Sequence, residues 1–242
     1  MKLPILSRRR LATLAAAILA GAGAGAFFFV RRTPPRVAVL APDGAAEFTL
    51  MDFSSPFPLD PPPPGWWRRK FWTRPEMLLS FAEKDGVKAL RMETKASASM
   101  LFRFVDVPLA DYPVLRWRWY VEQPIVSTLD ERTREGDDHP ARFFLALKTD
   151  AGEERRFEII WGNRLRRGDT KFIGTFPHWV ADGGDENIRR WRDEEADLVA
   201  ITGQFWPDGK TARLTDIALF CDSDETKGAT VAYVADVRVT KK

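Results

Sequence analysis

Apolar and polar residues alternate with a period of two along most of the chain. In an extended backbone this alternation puts successive side chains on opposite faces, as in a half-buried strand. It predicts strands over Glu47–Phe53, Met77–Ala82, Val87–Glu93, Ser99–Val105, Val114–Val121, Ala141–Lys148, Arg156–Trp161, Ile217–Cys221 and Val231–Val239. Turn formers punctuate them at Asp85-Gly86, Asp150-Ala151-Gly152, Pro207-Asp208-Gly209 and Lys227-Gly228. Many short strands spaced by such turns predict an all-β sandwich. One stretch reads differently. Asp193–Ile201 carries acidic residues first and apolar residues later, which predicts one short helix on the sandwich edge.

The alternation also assigns faces. In Leu115-Arg116-Trp117-Arg118-Trp119 the two indoles share one face and the two guanidiniums the other. Each Trp buries roughly 150–250 Å², so the pair points inward and Arg116 and Arg118 point outward. Phe143, Leu145 and Leu147 likewise separate from Arg142 and Lys148, and Ile217, Leu219 and Cys221 separate from Asp222. If these strands are neighbours, opposite charges meet on one outer wall.

The first 36 residues differ in kind. They hold seven basic residues and no acidic one. Without them, the chain of 242 residues and net charge +3 becomes 30 basic against 34 acidic residues, a net of −4. A general polyanion binder, nucleic acid included, is therefore not expected. Residues 11–30 are apolar or small without a charge, flanked by Arg8–Arg10 and by Arg31 and Arg32. Twenty such residues in a helix are just long enough to span a bilayer. Residues 1–32 thus read as a signal peptide or an uncleaved membrane anchor, which places the rest in the periplasm or another extracytoplasmic space, tethered to the inner membrane in the anchored case. Residues 33–45 read as a Pro-containing linker and 46–242 as the sandwich domain. The single cysteine, Cys221, sits in an apolar run and reads as a small buried hydrophobe.

Two acidic clusters carry the candidate chemistry: Glu135-Gly136-Asp137-Asp138-His139 ahead of Arg142, and Asp222-Ser223-Asp224-Glu225 after a strand. Asp222 and Asp224 form an Asp-x-Asp pair of the kind that holds a hard cation such as Ca²⁺, which takes 6–8 oxygens; Asp137 or Asp138 completes the set if the loops meet. The competing reading pairs these carboxylates with Arg116, Arg118 and Arg142. Trp161 at a strand end is either a sugar-stacking platform or core, since Phe157 and Ile159 share its parity. No nucleophile elbow, phosphate loop or dinucleotide fingerprint is present, and two histidines are few for a zinc site.

In order along the chain, Ala96-Ser97-Ala98-Ser99, Tyr112–Trp119, Glu135–Arg142, Trp161-Gly162-Asn163, Ile217–Thr226 and Tyr233–Val237 resemble the domain of unknown function 3047 family. The resemblance runs from about Leu90 to the C-terminus. It implies a jelly-roll-like β-sandwich, similar to those that bind carbohydrate and commonly carry a structural calcium. It gathers Arg118, Asp137, Asp138, Arg142, Asp222 and Asp224 into one cluster. The expected function is a non-catalytic binding module for a glycan or other cell-envelope component. The ligand would be held by Arg116, Arg118, Asp137, Asp138, Arg142, Asp222 and Asp224, with Trp161 stacking. The alternatives are a polysaccharide hydrolase using a carboxylate pair and an envelope scaffold protein.

Overall fold

The computed structural model describes residues 36–242. The hydrophobic helix expected over residues 11–30 lies outside them. Among the described residues no helix is long and apolar enough to cross a membrane.

Fourteen strands and one α-helix make up the described body. The strands are β1 (Val39–Leu40), β2 (Glu47–Met51), β3 (Trp66–Lys70), β4 (Leu78–Lys84), β5 (Val87–Lys95), β6 (Ser99–Pro108) and β7 (Val114–Gln123). They continue with β8 (Arg142–Thr149), β9 (Glu154–Gly162), β10 (Thr170–Ile173), β11 (Phe176–Gly183) and β12 (Arg192–Asp197). The helix α1 (Leu198–Phe205) precedes β13 (Thr211–Phe220) and β14 (Ala229–Thr240). One sheet has eight strands in the order β1-β6-β13-β8-β9-β11-β10, with β3 also on β6; the other has six in the order β12-β7-β14-β5-β4, with β2 also on β14. Pairing is antiparallel except for β1 with β6 and β11 with β9. The fold is therefore an all-β sandwich with one helix.

The core lies between the sheets and is built by the inward faces that parity assigned. Trp117 meets Trp119 at 5.2 Å and Phe143 at 5.2 Å, and Trp119 meets Trp161 at 5.6 Å, all edge-on. Phe143, Leu145, Leu147, Ile217, Leu219 and Cys221 are all without exposure. Cys221 is a free, fully buried thiol whose pKa burial pushes up, consistent with packing rather than nucleophilic work.

The expected helix over Asp193–Ile201 is half strand. Arg192–Asp197 is an edge strand pairing Asp193 with Arg118 and Glu195 with Arg116 on β7. The acidic residues that resemble a helix start are instead cross-strand partners of two arginines, and their charge protects the sheet edge. The helix begins only at Leu198, where the Asp197 carboxylate caps it by accepting from the Ala200 N–H at 3.0 Å. Phe176–Gly183, which is not among the strands predicted from the alternation, is a strand in parallel pairing with β9. Its Pro177 and closing Asp182-Gly183 mask the alternation. Within the stretch read as linker, Val39 and Leu40 pair with Val105 and Asp106.

Candidate functional site

The eight-stranded sheet has an outer face that register alone defines. Lys171, His178, Glu158, Phe144, Ala218, Phe102 and Trp67 are successive partners across β10, β11, β9, β8, β13, β6 and β3. They form one transverse row. The adjacent row holds Phe220, Arg142 and Ile160. A groove of about 850 Å³ lies over part of these rows, lined by Arg142, Phe144, Glu158 and Phe220 from them and by Asp137, Asp222, Asp224 and Glu225 among others. The segment Phe71–Arg74 forms part of its wall. Trp72 in that segment is 85% exposed.

Arg142 is the hub of the floor. Its side chain is 3% exposed. Nε donates to Asp222 Oδ1 at 3.0 Å, Nη1 to Glu158 Oε2 at 2.9 Å, and Nη2 to the Asp137 carbonyl. Its carbon lies 5.0 Å over the Phe220 ring. Burial opposes the charge, but Asp222, Asp137 and Glu158 hold the guanidinium well above its usual range. Burial likewise opposes ionisation of Glu158, and Arg142 with His178 outweighs it and lowers that carboxyl. Asp137 is held far below the carboxylate range by Arg142, His139 and Lys171, again against burial. Asp222 goes the other way. Complete burial pushes it well up, with Asp138 and Asp137 adding and Arg142 opposing.

The Asp137-Asp138-His139 turn locks this floor to the loops. Lys171 Nζ donates to Asp137 Oδ1 at 2.5 Å, to His139 Nε2 at 2.7 Å and to the Glu131 carbonyl. His139 Nδ1 lies 2.8 Å from the Trp161 carbonyl. Burial, then Lys171 and Arg142, hold this imidazole well below its ordinary pKa. It is thus the neutral tautomer that donates from Nδ1 and accepts at Nε2. Asp138 is fully buried and accepts from the backbone of Thr226 at 2.6 Å, from its hydroxyl at 2.5 Å and from the Glu225 N–H at 3.3 Å. Glu131, 3% exposed, accepts from three successive backbone N–H groups, those of Asn163, Arg164 and Leu165, at 2.9, 2.6 and 2.5 Å. Nothing in the pattern of residues around Glu131 signals this role, because its partners are backbone groups distant in sequence.

Of the eight residues expected to share a site, the structure brings five together: Asp137, Asp138, Arg142, Asp222 and Asp224. Arg116 and Arg118 are separate. They lie on the six-stranded sheet, whose outer face is on the far side of a sandwich with sheets about 10 Å apart. There Arg116 pairs with Glu195 at 3.2 Å and Arg118 with Asp193 at 2.8 Å, and Arg118 lies 5.2 Å over Trp191. Parity fixed which way they point but not which sheet they join. Trp161 is 1% exposed and packs on Trp119, so it is core and presents no stacking face.

Asp138, Asp222, Asp224 and Glu225 each offer an oxygen within 4.8 Å of the others. The set extends the Asp222/Asp224 pair, and its oxygen-only donors match a calcium-type cation in kind. Three of the four are already engaged by protein cations: Asp224 by Arg74 Nε at 2.6 Å, Glu225 by Arg74 Nη2 at 3.6 Å, and Asp222 by Arg142. Burial, with Asp138 and Asp224 beside it, pushes Glu225 up to about 8. The sign of its effect follows. A carboxyl with a folded pKa above its unfolded value near 4.5 binds more protons when folded. Its effect on stability is neutral below 4.5, increasingly unfavourable between 4.5 and about 8, and constant above. The urea midpoint is expected to fall from pH 5 to pH 8.5, and Glu225→Gln is expected to flatten part of that fall. An unchanged pH slope in the variant counts against this proton.

The likeness to solved structures is at the level of overall chain course. A family 30 carbohydrate binding module is 7% identical, with a TM-score of 0.44, covering 81% of this chain and 99% of its own. A family 30 module of a cellulosomal cellulase from Clostridium thermocellum is 10% identical, with a TM-score of 0.39 over 81% and 98%. A non-crystalline-cellulose-specific module, CBM28, is 15% identical, with a TM-score of 0.38 over 85% and 100%. No match is found among curated proteins. The sequence itself places the chain more firmly: residues 64–238 match the family described as "Protein of unknown function (DUF3047)", and the chain belongs to that family.

Proposed function

We propose that the groove on the eight-stranded sheet is a glycan-binding site and that the protein is a non-catalytic binding module. The observation that carries this reading is an aromatic stripe on an outer sheet face, which lines the groove at Phe144 and continues beyond it through Trp67, Phe102 and Phe176. Trp67 meets Phe102 at 5.2 Å, Phe102 meets Phe144 at 5.7 Å, and Phe144 stacks on Phe176 at 6.1 Å. Trp67, Phe144 and Phe176 are each only partly buried. An outer face normally carries polar residues, so a row of half-open rings beside Glu158, Arg142 and Asp137 favours a partner with apolar faces and polar edges. A pyranose has that form, its C–H faces meeting the rings and its hydroxyls meeting charged groups.

The carboxylates support binding over hydrolysis. Asp137 is engaged by Lys171, Glu158 by Arg142 and His178, Asp222 by Arg142, and Asp224 and Glu225 by Arg74. Glu225, pushed up to about 8, can carry a proton, but a hydrolase also needs an ionised carboxyl free to act as nucleophile or base, and Asp137, Glu158 and Asp224 are each held by a cation. The apolar, Arg-flanked segment 11–30 favours an envelope polysaccharide as the ligand.

Affinity electrophoresis of the full-length chain through gels holding neutral and acidic polysaccharides tests the reading. Retardation by at least one polymer is expected. Trp67→Ala and Phe176→Ala are each expected to weaken it roughly tenfold while circular dichroism stays unchanged. Equal mobility of all three proteins in every gel would overturn it.

A further inference from the structure

We infer that the ligand of this groove is an anionic glycan, recognised through Arg69, Arg132 and Arg134. The inference rests on the glycan reading above and gives that ligand its charge class.

Most of the described arginines are neutralised in place, as Arg116 is by Glu195, Arg156 by Glu154 and Arg238 by Glu47. Among the described residues, Arg69, Arg132 and Arg134 make no side-chain ion pair or hydrogen bond to the protein. All three are exposed, and all three line the groove. The Arg69 guanidinium lies 5.2 Å over the Phe71 ring. They come from two elements. Arg69 is on β3, and Arg132 and Arg134 are in the turn that precedes Asp137.

The acidic residues in the same groove are held by other cations and make no ion pair with these three. Each lining carboxylate is already engaged: Asp137, Glu158 and Asp222 by Arg142, and Asp224 and Glu225 by Arg74. Arg142, conversely, is 3% exposed and each of its three nitrogens already donates inward, so it is committed chiefly to the floor. The floor carboxylates are thus engaged within the floor, and the wall carries three guanidiniums that no protein carboxylate contacts. A guanidinium presents a planar fork of donors that matches carboxylate, sulfate or phosphate. A neutral sugar offers these forks only hydroxyl acceptors, without the opposite charge and paired oxygens of an acid group.

The test uses matched backbones so that only charge differs. Cello-oligosaccharides, their C6-oxidised glucuronate forms and their sulfated forms are titrated into the full-length chain by calorimetry. Galacturonate oligomers and their carboxyl-reduced counterparts are titrated alongside. An acidic member of at least one set is expected to bind roughly tenfold or more tightly than its neutral partner, and less tightly as salt rises. The carboxylate and sulfate arms identify which acid is read. The triple variant Arg69→Ala, Arg132→Ala, Arg134→Ala replaces exposed residues and is expected to remove the preference while retaining any weak neutral binding. Equal, salt-independent binding of acidic and neutral partners overturns the charge assignment and leaves the glycan reading intact. Binding of no member overturns both.

Discussion

Arg142→Met is expected to cost about 3–5 kcal/mol of folding stability at pH 7, because it removes one partner of a buried ionic cluster and leaves the other charges behind. The loss is unequal among its neighbours. Asp137 keeps Lys171 at 2.5 Å, and Glu158 keeps His178 Nε2 at 3.3 Å. Asp222 keeps only the His139 N–H at 3.1 Å. The pH dependence distinguishes this mechanism from simple loss of packing. Asp137 and Glu158 both have lowered pKa values when folded, to which Arg142 contributes. Stability of that kind is present above the unfolded carboxylate range and is lost as pH falls through the folded values. The deficit of the variant is therefore expected to be full at pH 7 and to shrink below about pH 4.5. Urea titrations of both proteins at pH 4 and pH 7 measure it. A deficit that is the same at both values would point to lost volume instead of lost pairing.

Glu131→Ala is the second large effect, at about 3 kcal/mol. The carboxylate holds three consecutive backbone N–H groups at 163–165, none of which has an obvious substitute. The bend it fixes is tight. A Cβ at Gly162 would meet the Leu165 carbonyl oxygen at 2.6 Å, and one at Gly183 would meet that oxygen at 2.5 Å. Because the Trp161 carbonyl also accepts from His139 at 2.8 Å, slackening this loop is expected to reach the groove floor. Amide hydrogen exchange at Asn163, Arg164 and Leu165 should rise sharply in the variant, and Glu131→Gln, with one acceptor oxygen retained, should fall between the two. Native-like protection in Glu131→Ala would show that water or a shifted loop supplies the acceptors.

The sequence made the sandwich and its inward faces legible because alternation reports burial directly. Nine strands could be read where both faces had distinct chemistry, as in Val114–Gln123 and Arg142–Thr149. It failed where the local pattern served something other than burial. In Arg192–Asp197 the acidic residues answer arginines on the next strand, and in Phe176–Gly183 a proline and a terminal Asp-Gly interrupt the period. The candidate site was half legible for a related reason. Parity says whether a side chain faces in or out, but strand order decides which of two outer faces it joins. Arg142 and Asp222 came together because β8 and β13 are adjacent, whereas β7 carries Arg116 and Arg118 to the opposite side. Trp161 followed the parity it shares with Phe157 and Ile159. The aromatic stripe escaped notice because its members, Trp67, Phe102, Phe144 and Phe176, are spread over four strands and are scattered in sequence.

The engagement of Arg142 on every side has a consequence for how this surface can diversify. Its electrostatic accounts are closed within the floor, while Arg69, Arg132 and Arg134 stand on the wall without structural obligations. Replacing those three with other side chains would retune what the molecule selects and leave its folding untouched. The architecture keeps the part that must not vary physically apart from the part that is at liberty to.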